Sequence, residues 1–200
     1  MSRRPCSCSV ELTPVRAEPR EDAEQVTQLL RGEPVQALEE RDGWARVETA
    51  YAYPGWVRAE AVSGPPLEGA WPEAAGDDVL AEARAFLGAP YEWGGMSERG
   101  IDCSGLVHMA FRRTGVVVPR DSWQQEEAGE AVAAGELRRG DVLCYPDHVA
   151  FWLGEGRILH ASGREGVEAV LEEPEPSELA SQRRSARRFR RKTRKGPPSN

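Results

Sequence analysis

The stretch DCSGLVHMAFRRTG, residues 102–115, contains the pattern on which the fold class depends. It predicts a helix over residues 103–114 that begins with Cys103 and stops at a glycine. At 3.6 residues per turn, Val107 and Ala110 fall within about 40° of Cys103 around the helix axis. The thiol is therefore expected to lie against the body of the protein and to be held in one position.

The position of Cys103 at a helix start also bears on its reactivity. Free backbone N–H groups and the helix dipole favour an anion there, so we expect the pKa of the thiol to fall toward a reactive value. An isolated cysteine at such a place is more often a small core residue, as we predict for Cys144 in an apolar strand. A catalytic interpretation of Cys103 therefore requires a base elsewhere in the chain.

Two of the three histidines occupy positions suited to such a base. His148 opens one predicted strand and His160 closes the next, and residues 154–156 (GEG) join them. A three-residue hairpin loop would place Leu153 opposite Arg157. His148 and His160 then become diagonal neighbours on one face of the sheet, roughly 7–8 Å apart at Cα.

A thiol and two imidazoles in this order are compatible with a papain-like triad. One imidazole takes the proton of Cys103 while the other orients the first. A lone histidine in a strand is more often a structural group, so the catalytic interpretation depends on the three residues occurring together. His108 lies about 140° around the helix from Cys103 and is predicted to be at the surface.

The chain divides into two unlike halves. Between residues 10 and 62, short apolar segments alternate with turn signals such as Asp42-Gly43, which is the spacing of hairpins in a small β-barrel. A stretch rich in proline and glycine follows, and beyond it the pattern predicts helices and then strands. The predicted parts are an all-β domain (8–63), a linker (64–76), an α+β domain (77–182) and a basic C-terminal tail (183–200).

The net charge of −7 is distributed unevenly. Nine of the 26 basic residues lie between Arg183 and Lys195 and no acidic residue follows Glu178, so the rest of the chain carries 17 basic and 33 acidic residues and a net charge of −16. Because nucleic-acid affinity comes mostly from neutralising phosphates, we do not expect the acidic body to bind nucleic acid. The tail is either a solvated extension or a site for a polyanion.

Composition excludes several other classes of protein. No stretch approaches the roughly 18–20 apolar residues of a membrane span, and six Trp among 40% hydrophobic residues exclude a wholly disordered chain. Cys6 and Cys8 could form half of a metal site, but no companion pair lies nearby, so we predict no metal and no cofactor. No apolar signal segment follows the basic start, which leads us to expect a cytoplasmic protein.

Six segments of the second half carry a family resemblance. They are PYEWGG (90–95), DCSGLV (102–107), PRDS (119–122) with Gln125, RGDVL (139–143), DHVA (147–150) and LHAS (159–162). Together they resemble the NlpC-type cell-wall peptidases, papain-like cysteine peptidases that cut the stem peptides of peptidoglycan. The resemblance runs from about residue 77 to residue 171 and implies an α+β papain-like domain with a central antiparallel sheet.

The first half carries a second resemblance. The segments TQLLRGE (27–33), DGWARV (42–47) and YPGWV (53–57) are similar to the bacterial SH3 domains that accompany such peptidases. The implied architecture is therefore a small all-β SH3-like barrel followed by the catalytic domain.

The resemblance implies a role for each matching residue. Cys103 is the nucleophile, His148 the general base and His160 the residue that orients the base. The oxyanion donors would be the backbone N–H of Cys103 and the side chain of Tyr91. The residues that match substrate-binding positions are Tyr91, Trp93, Asp102, Ser104, Ser122 and Tyr53, with Tyr51 as the alternative to Tyr53.

The branch with an N-terminal SH3-like domain resembles γ-D-glutamyl-L-diamino acid endopeptidases. These act on stem peptides whose N-terminal L-Ala is free, and Asp102 and Ser104 would hold that amine while Tyr53 closes the subsite. The expected function is hydrolysis of released murein stem peptides in recycling, with diaminopimelate or Lys as the third residue. An exported endopeptidase acting on intact peptidoglycan and a non-catalytic wall-peptide binding module remain the alternatives.

Overall fold

The first half of the chain forms an antiparallel β-domain in the computed structural model, which describes residues 3–65, 71–72 and 74–190. Within these residues, no helix has the length and apolar character needed to cross a membrane. The strands of the first domain are β1 (Arg4–Cys8), β2 (Leu12–Arg16), β3 (Gln25–Leu30), β4 (Pro34–Arg41), β5 (Trp44–Thr49), β6 (Pro54–Arg58) and β7 (Val62–Ser63).

These strands pair in the order β3-β2-β6-β5-β4-β1-β7 and enclose a small apolar core. Val15, Leu29 and Val47 are fully buried in it. The predicted turn at Asp42 and Gly43 joins β4 to β5, and both residues have positive φ (51° and 78°), as a tight hairpin turn requires. The predicted all-β character of this half is therefore confirmed.

The first domain begins earlier than the predicted boundary at residue 8. Arg4–Cys8 pairs with β4, so the domain includes residues that the sequence pattern left outside it. Cys6 and Cys8 alternate into the core, where both are buried free thiols. They act as small apolar residues that close one side of the sheet.

The second domain combines helices with an antiparallel sheet, as predicted. Its elements are α1 (Val79–Arg84), β8 (Met96–Ser97), β9 (Gly100–Ile101), α2 (Cys103–Arg113), α3 (Ser122–Ala128), β10 (Glu130–Ala131), β11 (Val142–Tyr145), β12 (His148–Gly154), β13 (Arg157–Ser162), β14 (Ala169–Pro174), α4 (Ser177–Gln182) and β15 (Ser185–Arg188).

The main sheet of this domain has the order β10-β15-β11-β12-β13-β14, and α2 packs across β12 and β13. Alternate side chains of the sheet, such as Val149 and Phe151, face α2 and form the larger core. Ala150 and Ile158 belong to a smaller cluster on the other face. Cys144 is buried in the larger core, as predicted.

The hairpin between β12 and β13 sets the relative position of the two candidate histidines. The predicted pairing of Leu153 with Arg157 is wrong, because Arg157 pairs with Gly154 and the loop contains two residues of positive φ. A bulge before Gly154 absorbs the difference, so that Phe151 pairs with Leu159. Beyond the bulge the register is the one predicted from the sequence.

The basic tail does not begin at residue 183 as predicted. Ser185–Arg188 is β15, which lies between β10 and β11 in the sheet. Arg188 Nη2 lies 2.7 Å from Asp141 Oδ2, and the ring of Phe189 packs against that of Phe111 with centroids 5.2 Å apart. Acidic partners in the body neutralise part of the basic run, whereas residues 191–200, where a polyanion site would fall, lie outside the described residues.

The predicted linker, residues 64–76, is described only in part, because residues 66–70 and 73 lie outside the description. Trp71 stacks on Tyr51 of the first domain, with ring centroids 6.3 Å apart. The guanidinium of Arg112 lies 5.0 Å from the centroid of the Trp71 ring. This part of the segment therefore packs against both domains.

His108 is fully buried, so the prediction that it lies at the surface is wrong. Its Nδ1 lies 2.7 Å from the carbonyl oxygen of Val118, and its ring meets Tyr51 edge-on with centroids 4.5 Å apart. The helix face that points away from Cys103 is covered by the first domain. Burial lowers the pKa of His108 to about 3.

We expect the free energy of unfolding to decrease as the pH falls from 7 toward 4. An unfolded histidine takes up a proton near pH 6.5, whereas His108 stays neutral in the folded protein until about pH 3. The unfolded state thus binds more protons in this window. The stabilisation that neutral His108 provides above pH 6.5 is therefore lost as the pH falls, by at most about 1.4 kcal/mol per pH unit. Urea denaturation across this range should show a shallower pH dependence for His108→Gln. An equal slope in both proteins would contradict the assignment.

Candidate active site

Cys103 occupies the first position of α2 and is 6% exposed. Asp102 caps the helix, since its Oδ1 accepts a hydrogen bond of 2.7 Å from the backbone N–H of Gly105. Backbone groups of Val149 and Ser104 are hydrogen-bonded to the thiol of Cys103. The helix start therefore presents the sulfur to the strand that begins with His148.

The expected lowering of the thiol pKa is not observed. Burial, and after it the carboxylate of Asp102, raise the pKa of Cys103 to about 12, although the backbone hydrogen bonds act in the opposite direction. Desolvation of the charged form thus exceeds the effect of the helix start. The resting site contains a neutral thiol that needs a base at the moment of attack.

The two predicted histidines lie together and are joined to a carboxylate. His148 Nε2 and His160 Nδ1 are 2.8 Å apart, and His160 Nε2 lies 3.0 Å from Glu173 Oε1. Arg164 Nη2 donates to Glu173 Oε2 over 3.0 Å. The result is a continuous hydrogen-bonded chain from Arg164 through Glu173 and His160 to His148.

The carboxylate of Glu173 determines which imidazole nitrogens carry protons. A carboxylate only accepts, so His160 Nε2 carries a proton and His160 Nδ1 accepts one from His148 Nε2. His148 Nδ1 is then left with a free lone pair. Burial lowers the pKa of His148 to about 3, with His160 as a second cause, so the imidazole is neutral and able to accept the proton of a thiol.

Glu173 was not recognised in the sequence as a member of the site. It lies two residues beyond Leu171, the residue that pairs with His160 across β13 and β14, so it is a diagonal neighbour of His160 on the same face. The loop of residues 163–168 does not reveal this register. The available signal was a pair of acidic residues, Glu172 and Glu173, that follows three apolar residues in β14.

Tyr91 borders the nucleophile from the loop before β8. Burial, followed by the charges of Cys103 and Asp102, raises the pKa of Tyr91 to about 12, so its hydroxyl keeps its proton and can donate a hydrogen bond. A Cβ atom at Gly163 would lie 3.0 Å from Tyr91 Cε1. A glycine at this position therefore allows the ring to lie against the end of β13.

Arg120, part of the PRDS segment but given no role from the sequence, lies at the centre of the site. It is 2% exposed, and its guanidinium donates to both carboxylate oxygens of Asp102, at 3.0 and 2.7 Å. Further acceptors are Ser104 Oγ at 2.8 Å, Gly95 O at 3.3 Å and Thr27 Oγ1 at 3.2 Å. All five N–H donors of the guanidinium therefore have an acceptor.

This arrangement places Asp102 and Ser104 within the protein's own hydrogen-bond network. Besides Arg120, Asp102 accepts from the backbone of Gly94 at 2.8 Å and from Gly105. Both residues were expected to hold a substrate amine. In the structure their contacts brace the start of α2, on which Cys103 lies, and their role toward an amine stays a prediction.

Trp93 lies where the two domains meet. The residue is 59% exposed, and Nε1 donates to Glu24 Oε1 of the first domain over 2.9 Å. Gln25 Nε2 donates to the carbonyl of Trp93 over 2.8 Å. At Gly94, φ is +73° and a Cβ would lie 2.5 Å from Gln25 O, so only glycine permits this approach.

The hydroxyl of Tyr53 reaches the second domain, whereas the hydroxyl of Tyr51 contacts its own domain. The hydroxyl of Tyr53 donates to the carboxylate of Asp121, with O···O distances of 3.0 and 3.1 Å. The hydroxyl of Tyr51 is 3.0 Å from Thr27 Oγ1. Ser122 follows Asp121 as the first residue of α3, so the Tyr53 contact and Ser122 share one corner of the site.

Comparison with known proteins agrees with this architecture. The sequence profile of the NlpC/P60 family matches residues 88–188, which is half of the chain. The chain belongs to the NlpC/P60 family. A second profile, the bacterial dipeptidyl-peptidase SH3 domain, matches residues 15–62. This NlpC/P60 protein thus consists of an SH3-like domain followed by an α+β domain, as expected from the sequence.

Named relatives of this NlpC/P60 protein include peptidases. A γ-D-glutamyl-L-lysine dipeptidyl-peptidase of Bacillus cereus is 37% identical over 98 residues, covering 45% of this chain and 29% of the relative. Dipeptidyl-peptidase 6 of Lysinibacillus sphaericus is 34% identical over 137 residues, covering 66% of this chain and 51% of the relative. The chain therefore spans about half or less of the length of these relatives.

A solved structure resembles most of the chain. It is an NlpC/P60 family protein from Bacillus cereus, 26% identical with a TM-score of 0.55, and the likeness covers 92% of this chain and 63% of that one. The coverage includes both domains. The pairing of an SH3-like domain with the NlpC/P60 domain is thus shared.

Proposed function

We propose that this protein is a cysteine endopeptidase that hydrolyses the γ-D-glutamyl-L-diamino acid bond of peptidoglycan stem peptides with a free N-terminal L-Ala. The observation that carries the proposal is the hydrogen-bonded chain from His148 to Glu173, which begins next to Val149, the residue whose backbone contacts the thiol of Cys103. His148 removes the proton of the thiol as the sulfur attacks the peptide carbonyl. The backbone N–H of Cys103 and the Tyr91 hydroxyl stabilise the oxyanion that forms.

The free amine is assigned to Asp121 instead of Asp102. Asp102 forms a buried ion pair with Arg120, whereas the half-buried Asp121 accepts from the Tyr53 hydroxyl of the SH3-like domain and has no ion-pair partner among the described residues. A carboxylate under a tyrosine at the junction of two domains offers an ammonium group a confined partner. We assign Trp93 and Ser122 to the same subsite, because both match substrate-binding positions of the family.

This assignment predicts selectivity for released peptides. Stem peptides attached to glycan carry an acylated L-Ala, which has no ammonium to pair with Asp121. A peptidase of this kind would act in the recycling of murein fragments, and we propose a cytoplasmic location on that ground. Cell fractionation with an antibody against the chain would test the location, and recovery outside the cytoplasm would favour an exported wall hydrolase.

The experiment that tests the proposed function compares two matched peptides. L-Ala-γ-D-Glu-meso-diaminopimelate is incubated with the protein beside its N-acetylated form, and mass spectrometry follows both. We expect a cut after γ-D-Glu in the free peptide only. Cleavage of neither peptide would contradict the peptidase assignment, and equal cleavage of both would contradict the role of the amine.

We expect Glu173→Gln to lower kcat about tenfold and to move the acid limb of the pH profile to lower pH. The carboxylate stabilises the protonated histidine pair, so its loss lowers the pKa of that pair further, while activity needs His148 in its neutral form. Kinetics from pH 8 down to pH values below the His148 pKa of about 3 would measure both effects. Glu172→Gln, in a residue paired with Arg84, is the control and should leave the profile unchanged. A lower maximal kcat without a shift of the acid limb would mean that Glu173 has only a structural role.

A further inference from the structure

A cavity of about 290 Å³ opens beside the histidine pair, between the end of β13 and α4. Both His148 and His160 form part of its wall. Arg164, Glu178 and Leu179 also line it. The cavity is therefore continuous with the group that accepts and returns the catalytic proton.

The chemistry of peptide hydrolysis determines which part of the substrate lies on this side. The sulfur of Cys103 bonds to the carbonyl carbon, the C–N bond breaks, and the departing nitrogen takes the proton that His148 received from the thiol. Water then hydrolyses the thioester and restores the thiol. The departing residue must consequently lie within hydrogen-bond reach of His148, which is the position of this cavity.

We propose that the cavity binds the departing diamino acid and selects meso-diaminopimelate over L-lysine, an inference that rests on the proposed function. The distal end of diaminopimelate carries an ammonium and a carboxylate, whereas lysine carries an ammonium alone. The cavity offers one group of each sign, the guanidinium of Arg164 and the carboxylate of Glu178. Leu179 lies beside them as a surface for the methylene chain.

The two charged groups are available to a ligand. Arg164 uses Nη2 for Glu173, and its side chain is 47% exposed, which leaves further N–H groups for a carboxylate. Glu178 is exposed at the start of α4. A lysine side chain pairs its ammonium with Glu178 but offers Arg164 no carboxylate, so lysine makes one charged contact fewer than diaminopimelate.

Three tripeptides that differ only in the third residue test the proposal. They carry meso-diaminopimelate, L-lysine or L-norleucine after L-Ala-γ-D-Glu, and kcat/KM is measured for each with the full chain. We expect diaminopimelate to exceed lysine about tenfold, because one charge-assisted contact is lost with lysine. Arg164→Gln should remove this preference, and Glu178→Gln should reduce the preference of both charged peptides over norleucine.

The substrate panel separates binding in the cavity from an effect on the catalytic residues. Loss of the Arg164 contact to Glu173 alone would lower all three rates by one factor, and that outcome overturns the proposal. Equal rates for the three peptides in the unaltered protein also overturn it. Glu165→Gln, an exposed residue next to Arg164 and outside the cavity lining, is the control and should leave the ratios unchanged.

A binding measurement distinguishes failure of this inference from failure of the proposed function. Calorimetric titration of Cys103→Ala with the same peptides reports affinity without turnover. A preference for the diaminopimelate peptide supports the cavity assignment even if the unaltered protein cleaves no peptide, a result that would contradict the peptidase assignment alone. Equal affinities overturn the cavity assignment whether or not hydrolysis occurs.

Discussion

Cys103→Ala is expected to reduce kcat/KM for the diaminopimelate tripeptide by at least about 10⁴-fold, because no other group can form the thioester. The sulfur is the only atom that the residue loses, and the helix cap from Asp102 to Gly105 is unaffected. The variant should therefore unfold at nearly the same temperature as the unaltered protein. Release of the diamino acid, followed by mass spectrometry, measures the loss.

A matched control for this substitution lies in the same domain. Cys144 is a buried cysteine of β11, 1% exposed, whose side chain packs in the larger core away from the histidine chain. Cys144→Ala should cost some stability through the small space it leaves, while keeping most of the activity. Full activity of Cys103→Ala, or equal loss in both variants, would contradict the nucleophile assignment.

Arg120→Met is expected to destabilise the protein by about 3–5 kcal/mol, since it leaves the carboxylate of Asp102 buried without its cation. Asp102 caps α2, and the same guanidinium reaches Thr27 in the SH3-like domain. Loss of Arg120 therefore weakens the helix start and the domain contact together. Chemical denaturation followed by fluorescence measures the change in the free energy of unfolding.

The Arg99–Glu11 pair supplies the control for this prediction. It also joins the two domains, at 2.6 Å, but both side chains are about two-thirds exposed (68% and 70%). Arg99→Met should cost at most about 1 kcal/mol, because water screens an exposed pair. The double variant Arg120→Met with Asp102→Asn should lose less than the two single changes added together. Equal losses of unfolding free energy in Arg120→Met and Arg99→Met would contradict the prediction that the buried network stabilises the protein more than an exposed ion pair does.

Local patterns in the sequence were sufficient to place Cys103 and the two histidines on their elements. Cys103 could be placed on a helix start because periodicity and a terminating glycine act over a few residues. The hairpin placed His148 and His160 on one face even though the loop was assigned one residue too long, because a bulge restored the register. Side chains of a strand alternate between the two faces of the sheet. An error of one residue in the loop length would therefore move a histidine to the other face unless a bulge compensates for it.

Features that depend on contacts distant in sequence were not predictable. The role of Glu173 follows from the register of β13 and β14, which the intervening loop leaves open. The burial of His108 follows from the docking of Tyr51 against a helix face that faces away from Cys103. The high pKa of Cys103 has the same origin, since desolvation is a property of the packed site.

The basic tail also combines a feature visible in the sequence with one that depends on distant contacts. Composition alone separated it from the acidic body, but pairing of Ser185–Arg188 with β11 turned its first part into a strand of the central sheet. Local periodicity and turn chemistry indicated the fold class and placed Cys103, His148 and His160 as candidate site residues, and the resemblance to the NlpC-type peptidases implied their roles. The partners of the charged residues, in contrast, follow from the tertiary fold. Arg120 with Asp102, and Glu173 with His160, meet through packing between segments that are separate in the chain.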